Sequence, residues 1–243
     1  MTQDEQLLES PRPDEFKHTD TWRVFRIMGE FVEGFDELAT LTRGVSVFGS
    51  ARSLPGDEDY KAAQETAALL SKAGFTVITG GGPGIMEAAN RGAAEAGGKT
   101  IGLNISLPHE QQPNPYVTRE LSFEFRYFFM RKLWFAHLAR ALVVFPGGFG
   151  TLDELTELLT LEQTKKLDRP IRILLYGSSY WKEVLNFEAL ARHGMISPED
   201  LALFAFVDDP AEALALLQAW LEPEPARPTP AFAASHPDSD GSG

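Results

Sequence analysis

The sequence predicts an α/β fold in which helices flank a doubly wound, mostly parallel sheet. Patterns typical of buried strands alternate with patterns typical of amphipathic helices, which indicates repeated βα units with right-handed crossovers. Two of the strand patterns end in glycine-rich turns that open directly into helices, at 80–84 and 147–150. With 243 residues, 43% of them hydrophobic, the chain can bury one sizeable core but is too short for two large domains. These observations favour one Rossmann-like domain.

The individual elements follow from local periodicity. A helix is predicted ahead of the sheet, because large apolar residues recur there at three- and four-residue spacing, namely Trp22, Phe25, Met28, Val32 and Phe35. Strands are predicted at 45–50, 75–79, 100–103, 141–145, 171–176 and 203–207. Helices are predicted at 57–73, 85–97, 125–138, 152–165, 180–193 and 210–221. The domain therefore spans 21–221, between a flexible N-terminus (1–20) and a Pro-, Ala-, Ser- and Asp-rich tail (222–243) that we expect to be disordered.

Composition excludes several classes of partner and site. The formal net charge of -13 leaves no general positive field for a nucleic-acid backbone, so we expect no nucleic-acid partner. The chain has no cysteine, and its five histidines lack ligand spacing, so we expect no disulfide, no metal site and no cysteine nucleophile. The N-terminus lacks the order of a signal peptide, and no apolar run approaches the roughly 20 residues that span a bilayer. A cytoplasmic protein without a membrane partner is expected.

The second glycine turn has the composition of an anion-binding loop. Gly147, Gly148 and Gly150 allow close approach of the backbone to a ligand, and the N–H groups of the following helix then point outward. Phosphate is the expected ligand, and the carboxylates of Asp153 and Glu154 follow at the start of the helix. The simpler alternative is an ordinary strand-turn-helix connection with acidic residues in the first turn. The upstream loop argues against it, because two such loops in one sheet indicate one shared crevice.

Two better-known glycine motifs fit less well. Gly80, Gly82 and Gly84 do not have the spacing of the dinucleotide fingerprint, in which a third glycine would replace Ile85, so NAD is a weak interpretation. The tripeptide at 98–100 (Gly-Lys-Thr) imitates the end of a P-loop, but it precedes a strand instead of following one. We interpret it as the end of a helix and the start of a strand.

Three segments in this order resemble the motifs of the LOG (Lonely Guy) family. They are Gly80-Gly81-Gly82-Pro83-Gly84-Ile85-Met86, then Met130-Arg131-Lys132, then Pro146-Gly147-Gly148-Phe149-Gly150-Thr151-Leu152-Asp153-Glu154. The resemblance runs from about Val45 to Asn186, and the regions before Val45 and after Leu201 lie outside the common core, as they do in the longer bacterial members. In plant-type members two residues separate the Met and the Arg, whereas Met130 directly precedes Arg131 here. We therefore expect a base pocket of different shape.

The resemblance implies hydrolysis of the N-glycosidic bond of nucleoside 5'-monophosphates, such as AMP or a cytokinin riboside monophosphate, to free base and ribose 5-phosphate. Arg131 and Glu154 are the expected catalytic residues: a guanidinium can fork onto phosphate or carboxylate, and a carboxylate can stabilise a cationic ribose. Asp153 points about 100° away from Glu154 around the helix, so it is expected to bind ribose hydroxyls instead. Further substrate contacts are expected from Gly81, Gly82, Gly84, Glu110, Lys132, Gly147, Gly148, Gly150, Thr151 and Thr160.

The resemblance implies no cofactor and a homodimer or higher homo-oligomer. The family has also been labelled possible lysine decarboxylase, but Lys132, Lys165 and Lys166 lack the surroundings of a lysine that carries pyridoxal phosphate. Two alternatives stay open. One is a nucleotide-binding regulator or carrier without turnover, and the other is a nicotinamide-dependent oxidoreductase, which the glycine spacing disfavours.

Overall fold

The computed structural model describes residues 16–38, 41, 43–106, 113–167 and 169–221. The strands are β1 (Gly44–Phe48), β2 (Thr76–Thr79), β3 (Thr100–Ile105), β4 (Ser122–Phe125), β5 (Ala139–Val144), β6 (Arg172–Tyr176) and β7 (Phe204–Val207). The helices are α1 (Phe16–Leu38), α2 (Glu58–Lys72), α3 (Ile85–Glu95), α4 (Phe128–Leu138), α5 (Phe149–Gln163), α6 (Ser178–Val184), α7 (Phe187–Arg192) and α8 (Pro210–Trp220). Short 3-10 turns precede β4 and β7, at Arg119–Leu121 and Pro198–Leu203.

The seven strands form one parallel sheet in the order β4-β3-β2-β1-β5-β6-β7. The chain builds one half outward from β1 and then returns to start the other half at β5. The loops that leave these two central strands are joined by backbone hydrogen bonds, in which Phe145 N donates to Phe48 O (2.8 Å) and Ser50 N donates to Pro146 O (2.9 Å). The predicted fold class is confirmed, and the strand order creates a crevice at the point where it reverses.

Two hydrophobic clusters cover the two faces of the sheet. Trp134, Phe135 and Trp181 are fully buried in the cluster beneath α4, α5 and α6. Tyr60 and Phe145 are fully buried in the other cluster, beneath α2, α3 and α8. Because helices cover both faces, the central strands read as continuous apolar runs, and β1 is buried at all five positions.

The structure corrects the sequence-based element boundaries in two places. Residues 122–125 form the edge strand β4, which we had not predicted, and α4 begins at Phe128 and not at 125. The aromatic residues of this strand are buried while Ser122 and Glu124 are exposed, an alternation too short to stand out beside an apolar helix. The helix predicted at 180–193 is divided into α6 and α7, because Asn186 caps α7 by accepting a hydrogen bond from Ala189 N (2.8 Å).

Helix α1 begins at Phe16, inside the segment predicted to be flexible. Residues 1–15 and the tail 222–243 lie outside the described residues, so the predictions for them remain predictions.

The contact between α2 and α3 leads to a stability prediction. Gly92 of α3 faces the backbone of Gln64, where a Cβ atom would overlap the carbonyl group. Alanine is the better helix former by about 1 kcal/mol, but this overlap requires the two helices to move apart, at a cost of roughly 1–3 kcal/mol. We expect Gly92→Ala to lower the free energy of unfolding, measured by chemical denaturation.

The matched control is Gly29→Ala in α1, where an added Cβ meets nothing within 4 Å. That variant should be neutral or slightly stabilising. A Gly92→Ala variant as stable as the control would show that the α2–α3 contact is looser than described.

Candidate functional site

A cavity of about 640 Å³ opens at the crevice between the two halves of the sheet. It lies at the carboxyl ends of β1, β2, β3 and β5, where parallel sheets bind ligands. Its apolar wall is formed by Phe48, Met86, Ile105, Phe128 and Leu152. Its polar side chains are Ser50, Arg52, Arg131, Thr151, Glu154 and Tyr180. The cavity therefore combines an apolar wall with hydroxyl, guanidinium and carboxylate groups.

The second glycine turn forms one wall of the cavity, as the sequence predicted. Gly147 packs so closely on Thr151 that a Cβ atom would overlap the threonine side chain, and its carbonyl accepts a hydrogen bond from the Tyr180 hydroxyl (2.6 Å). Gly148 and Gly150 differ from it, because a Cβ atom at either position would meet nothing within 4 Å. The turn is thus fixed on the protein side and open on the cavity side, at the N-terminus of α5.

In the first glycine turn, several backbone N–H groups already donate hydrogen bonds within the protein. Gly81 N donates to Thr79 Oγ1 (2.9 Å), and Ile85 N at the start of α3 donates to Ser50 O (3.0 Å). Gly84 has a φ of 69° and lies against the backbone of Ser50 and Ala51, which leaves no room for a side chain. Gly80 of this turn lines the cavity. Gly81, Gly82 and Gly84 support the shape of the turn, and substrate binding by them stays a prediction.

A buried polar network holds the first glycine turn in place, and sequence reasoning missed it. The Asn114 side-chain amide donates to the carbonyls of Gly81 (3.1 Å) and Gly82 (3.0 Å) and to Asn90 Oδ1 (2.9 Å). Thr79 Oγ1 also donates to Asn90 Oδ1 (2.7 Å). Asn90 lies within the otherwise apolar face of α3, and such a polar residue at a buried position was the available signal.

The two predicted catalytic residues meet at the cavity wall. Arg131 Nη2 lies 3.7 Å from Glu154 Oε1, too far for a good hydrogen bond, and Glu154 is only 2% exposed. Burial raises the pKa of Glu154 to about 7, although Lys132 and Arg131 act in the opposite direction. Burial also lowers the pKa of the Arg131 guanidinium, against the attraction of Glu154 and Asp153. Both shifts favour the neutral forms, so desolvation outweighs the attraction within the pair.

Arg131 keeps unused hydrogen-bonding capacity. Its buried Nε has no acceptor among the described residues, and the guanidinium lies over the Phe128 ring at 5.3 Å from the ring centre. Arg131 and Phe128 both line the cavity, so the guanidinium lies beside any anionic or polar ligand that binds there.

Three other predicted site residues of the described chain, Lys132, Asp153 and Thr160, lie outside the cavity lining. Lys132 Nζ pairs with Asp153 (2.8 Å) and Glu157 (2.7 Å) in a partly exposed cluster beside the cavity. Thr160 is exposed, and its hydroxyl donates to Thr156 O (2.7 Å) one turn back in the helix. Glu110 falls in the segment 107–112, outside the described residues. Substrate contacts by these residues stay predictions.

Four polar or sulfur-bearing residues of the cavity were missed by sequence reasoning, namely Ser50, Arg52, Met86 and Tyr180. Ser50 and Arg52 follow β1 directly, and the Arg52 N–H donates to Ser50 Oγ (3.1 Å). Their position after a central strand was the available signal, because the carboxyl ends of parallel strands meet at one edge.

Over the described ranges, no group of three or more His, Cys, Asp or Glu side chains is arranged to hold a metal ion. In the same part of the chain, every helix is too short or too polar to cross a bilayer.

Comparison with known proteins gives a consistent set of similarities. A family model described as "Possible lysine decarboxylase" matches residues 86–217. The chain is 29% identical over 195 residues to the probable cytokinin riboside 5'-monophosphate phosphoribohydrolase LOGL5 of Oryza sativa subsp. japonica, covering 76% of this chain and 75% of the relative. It is 25% identical over 165 residues to the cytokinin riboside 5'-monophosphate phosphoribohydrolase of Rhodococcoides fascians, covering 64% of this chain and 79% of that one.

Solved structures of similar fold include the molybdenum cofactor binding protein from Rippkaea orientalis, with a TM-score of 0.55, 21% identity and coverage of 75% of this chain and 99% of that chain. The molybdenum cofactor carrier protein from Chlamydomonas reinhardtii has a TM-score of 0.52 and 23% identity, covering 74% of this chain and 98% of that chain. At these identities the likeness concerns the fold alone.

The raised pKa of Glu154 predicts a pH-dependent free energy of unfolding. The folded protein binds this proton more tightly than the unfolded chain, where the pKa is near 4.5. The resulting stabilisation is complete below that value and is lost as the pH rises through about 7. Glu154→Gln cannot ionise, so between about pH 5 and pH 8 it should gain stability relative to the unsubstituted protein, on the order of 2–3 kcal/mol.

Denaturant unfolding of both proteins across this pH range measures the difference, with Asp153→Asn as the control at an exposed neighbour. A difference that does not change with pH would show that Glu154 titrates as it does in the unfolded chain.

Proposed function

We propose, because the chain belongs to the LOG ("possible lysine decarboxylase") family, that it hydrolyses the N-glycosidic bond of nucleoside 5'-monophosphates to free base and ribose 5-phosphate. The observation that carries the proposal is the single cavity that joins an open glycine turn to the buried pair of Arg131 and Glu154. The relatives named as phosphoribohydrolases support the reaction class.

The phosphate is assigned to the second glycine turn. Gly148 and Gly150 leave open space beside the backbone, and the turn starts a helix of fifteen residues whose N-terminus attracts anions. The Thr151 hydroxyl lies on the same wall and can donate to a phosphate oxygen. The Tyr180 hydroxyl donates to the Gly147 carbonyl, and this hydrogen bond stabilises the shape of the turn.

The reaction is assigned to the region of Glu154. Breaking the bond between C1' and the base nitrogen transfers its electron pair to the base, and positive charge develops on the ribose. Water then forms the new C1'–O bond, and the proton that this water loses balances the electron pair gained by the base nitrogen, which leaves as the neutral base. The Glu154 carboxylate, buried at the cavity wall, can stabilise the positive ribose or orient the water.

Arg131 supports this chemistry through charge. Its guanidinium partly offsets the burial of Glu154 and so favours the ionised carboxylate that the reaction requires. Its guanidinium lines the cavity and can donate to the substrate there. A planar, permanently charged group meets both demands, whereas a lysine would offer a single point of charge.

The structure gives Lys132 a setting unlike that of a cofactor-bearing lysine. A Schiff base with pyridoxal phosphate requires a neutral amine, but the bonds to Asp153 and Glu157, against the effect of partial burial, raise the pKa of Lys132. This lysine is held in its protonated form.

The second candidate is a carrier or regulator that binds a nucleotide in the same cavity without turnover. Proteins named as a molybdenum cofactor binding protein and a carrier protein share this fold, so the fold alone does not imply turnover. Release of free base separates the two functions, since a carrier would bind the monophosphate and return it unchanged.

The phosphate assignment predicts a strong preference for AMP over adenosine. Binding energy from the phosphate positions the ribose at Glu154, so its removal should lower kcat/KM by at least about 100-fold. Ribose 5-phosphate and ribose release by the full chain measure the two rates. Equal rates would remove the phosphate from the mechanism.

The assignment of the reaction predicts different effects at two neighbouring carboxylates. Glu154→Gln should lower kcat by at least about 100-fold with nearly unchanged nucleotide affinity, because it removes the charge but keeps the shape. Glu157→Gln, one turn along the same helix in a partly exposed ion pair, is the matched control and should stay within a few-fold of the unsubstituted rate. If both variants lose activity equally, or Glu154→Gln keeps its kcat while folded, Glu154 is not the catalytic carboxylate.

A further inference from the structure

The loop that follows β1 is held between the two glycine turns. Ser50 N donates to Pro146 O (2.9 Å), just before the second turn, and Ser50 O accepts from Ile85 N (3.0 Å), just after the first. Gly84 of the first turn lies against the backbone of Ser50 and Ala51, where a Cβ atom would overlap both residues. The backbone of this loop is therefore fixed from both sides at the edge of the cavity.

Arg52 leaves the same loop with an exposed side chain that lines the cavity. Its backbone N–H donates to Ser50 Oγ (3.1 Å), which ties the start of this side chain to the fixed peptide. In the part of the chain that the structure describes, no carboxylate lies within ion-pair distance of the guanidinium. The donors of the Arg52 guanidinium are therefore available to a ligand.

Arg52 also supplies the unbalanced positive charge of the cavity. Among the described residues, three charged side chains line it, namely Arg52, Arg131 and Glu154. Arg131 faces Glu154 at 3.7 Å, and only 16% of the Arg131 side chain is exposed. The charges of that pair largely offset each other, whereas Arg52 has no such neighbour. Because the whole chain has a net charge of -13, a local cation is needed to attract an anionic group to this cavity.

We propose that Arg52 binds the 5'-phosphate of the substrate and thereby makes the site select nucleotides over nucleosides. This inference rests on the proposed function, because it takes the ligand to be a nucleoside 5'-monophosphate whose phosphate lies at the second glycine turn. The backbone N–H groups of that turn are neutral donors, whereas a guanidinium adds a full charge and two parallel donors. The hydrogen bond from Ser50 to Pro146 keeps the loop that carries Arg52 beside the turn.

The two arginines of the cavity then have different tasks. Arg131 lies beside Glu154, where the reaction is assigned, and its loss affects the chemical step. Arg52 is exposed and contacts only the phosphate, a group that does not change during the reaction. Such a contact is equally strong in the ground state and in the transition state, so its loss weakens binding and leaves the rate at saturation nearly unchanged.

The first test measures binding without turnover, by isothermal titration calorimetry of the full chain with ribose 5-phosphate and with adenosine. Arg52→Ala should weaken ribose 5-phosphate binding by at least about 10-fold, because a charge-assisted contact is lost. Adenosine lacks the phosphate and should bind this variant as it binds the unsubstituted chain. Arg119→Ala is the matched control and should change neither affinity, because Arg119 is equally exposed but precedes β4, at the edge of the sheet opposite to the cavity.

Three results of this test would overturn the assignment of Arg52. The first is an unchanged affinity of Arg52→Ala for ribose 5-phosphate. The second is an equal loss for adenosine, which would place the contact on the nucleoside. The third is an equal loss in Arg119→Ala, which would make the effect one of overall charge. An unsubstituted chain that does not bind ribose 5-phosphate would overturn both this inference and the phosphate assignment on which it rests.

The second test uses turnover of AMP and separates this inference from the proposed reaction. Arg52→Ala should raise KM by at least about 10-fold with kcat within a few-fold, and Arg52→Lys should lie between it and the unsubstituted chain, because an ammonium keeps the charge but not the fork. A lysine variant no better than the alanine variant would contradict a contact through charge. If base release proceeds with an unchanged KM in Arg52→Ala, the reaction stands and this inference is wrong. If no base is released while ribose 5-phosphate binding depends on Arg52, the reaction is wrong and this inference stands.

Discussion

The parallel pairing of β1 with β5 is the constraint on which the fold and the candidate site depend. These strands are some ninety residues apart in the chain, yet they align from Val45 with Ala141 to Phe48 with Val144. Their carboxyl ends therefore lie side by side, and the glycine turn after β5 packs against the backbone of Gly49 after β1. The cavity exists because the strand order reverses here and the two following connections diverge to opposite faces of the sheet.

The chemistry of the site depends on two buried, oppositely charged side chains whose attraction does not compensate for their desolvation. Glu154 and Arg131 are both buried, and desolvation favours the neutral form of each side chain. At a separation of 3.7 Å, the attraction between the two charges is weaker than this desolvation. The neighbouring cluster of Lys132, Asp153 and Glu157 is different, because it is partly exposed and its charges pair at 2.7–2.8 Å. A developing positive charge on a ligand would offset the desolvation of the ionised Glu154, which is a form of transition-state complementarity.

The sequence was sufficient to predict the fold class and the two glycine turns, whereas Arg131 and Glu154 were assigned to one site through the resemblance to the LOG family. Periodicity identifies buried parallel strands, and glycine between strand and helix marks an open turn. It could not predict the edge strand β4, whose four residues alternate too briefly, or the network of Asn90 and Asn114, which joins segments far apart in the chain. The pairing of Lys132 with Asp153 could not be predicted from the sequence either, because it depends on how α4 lies across the start of α5.

The dependence of kcat on pH tests the central claim most directly, because kcat reports ionisation in the enzyme–substrate complex. If a buried Glu154 must be ionised to stabilise the ribose cation, kcat for ribose 5-phosphate release should fall on the acidic side with an inflection at or above about 7, since the bound phosphate can only raise the pKa of this carboxyl further. A kcat that stays constant down to about pH 5, where an ordinary glutamate is still ionised, would contradict the assignment of the reaction to this buried carboxylate.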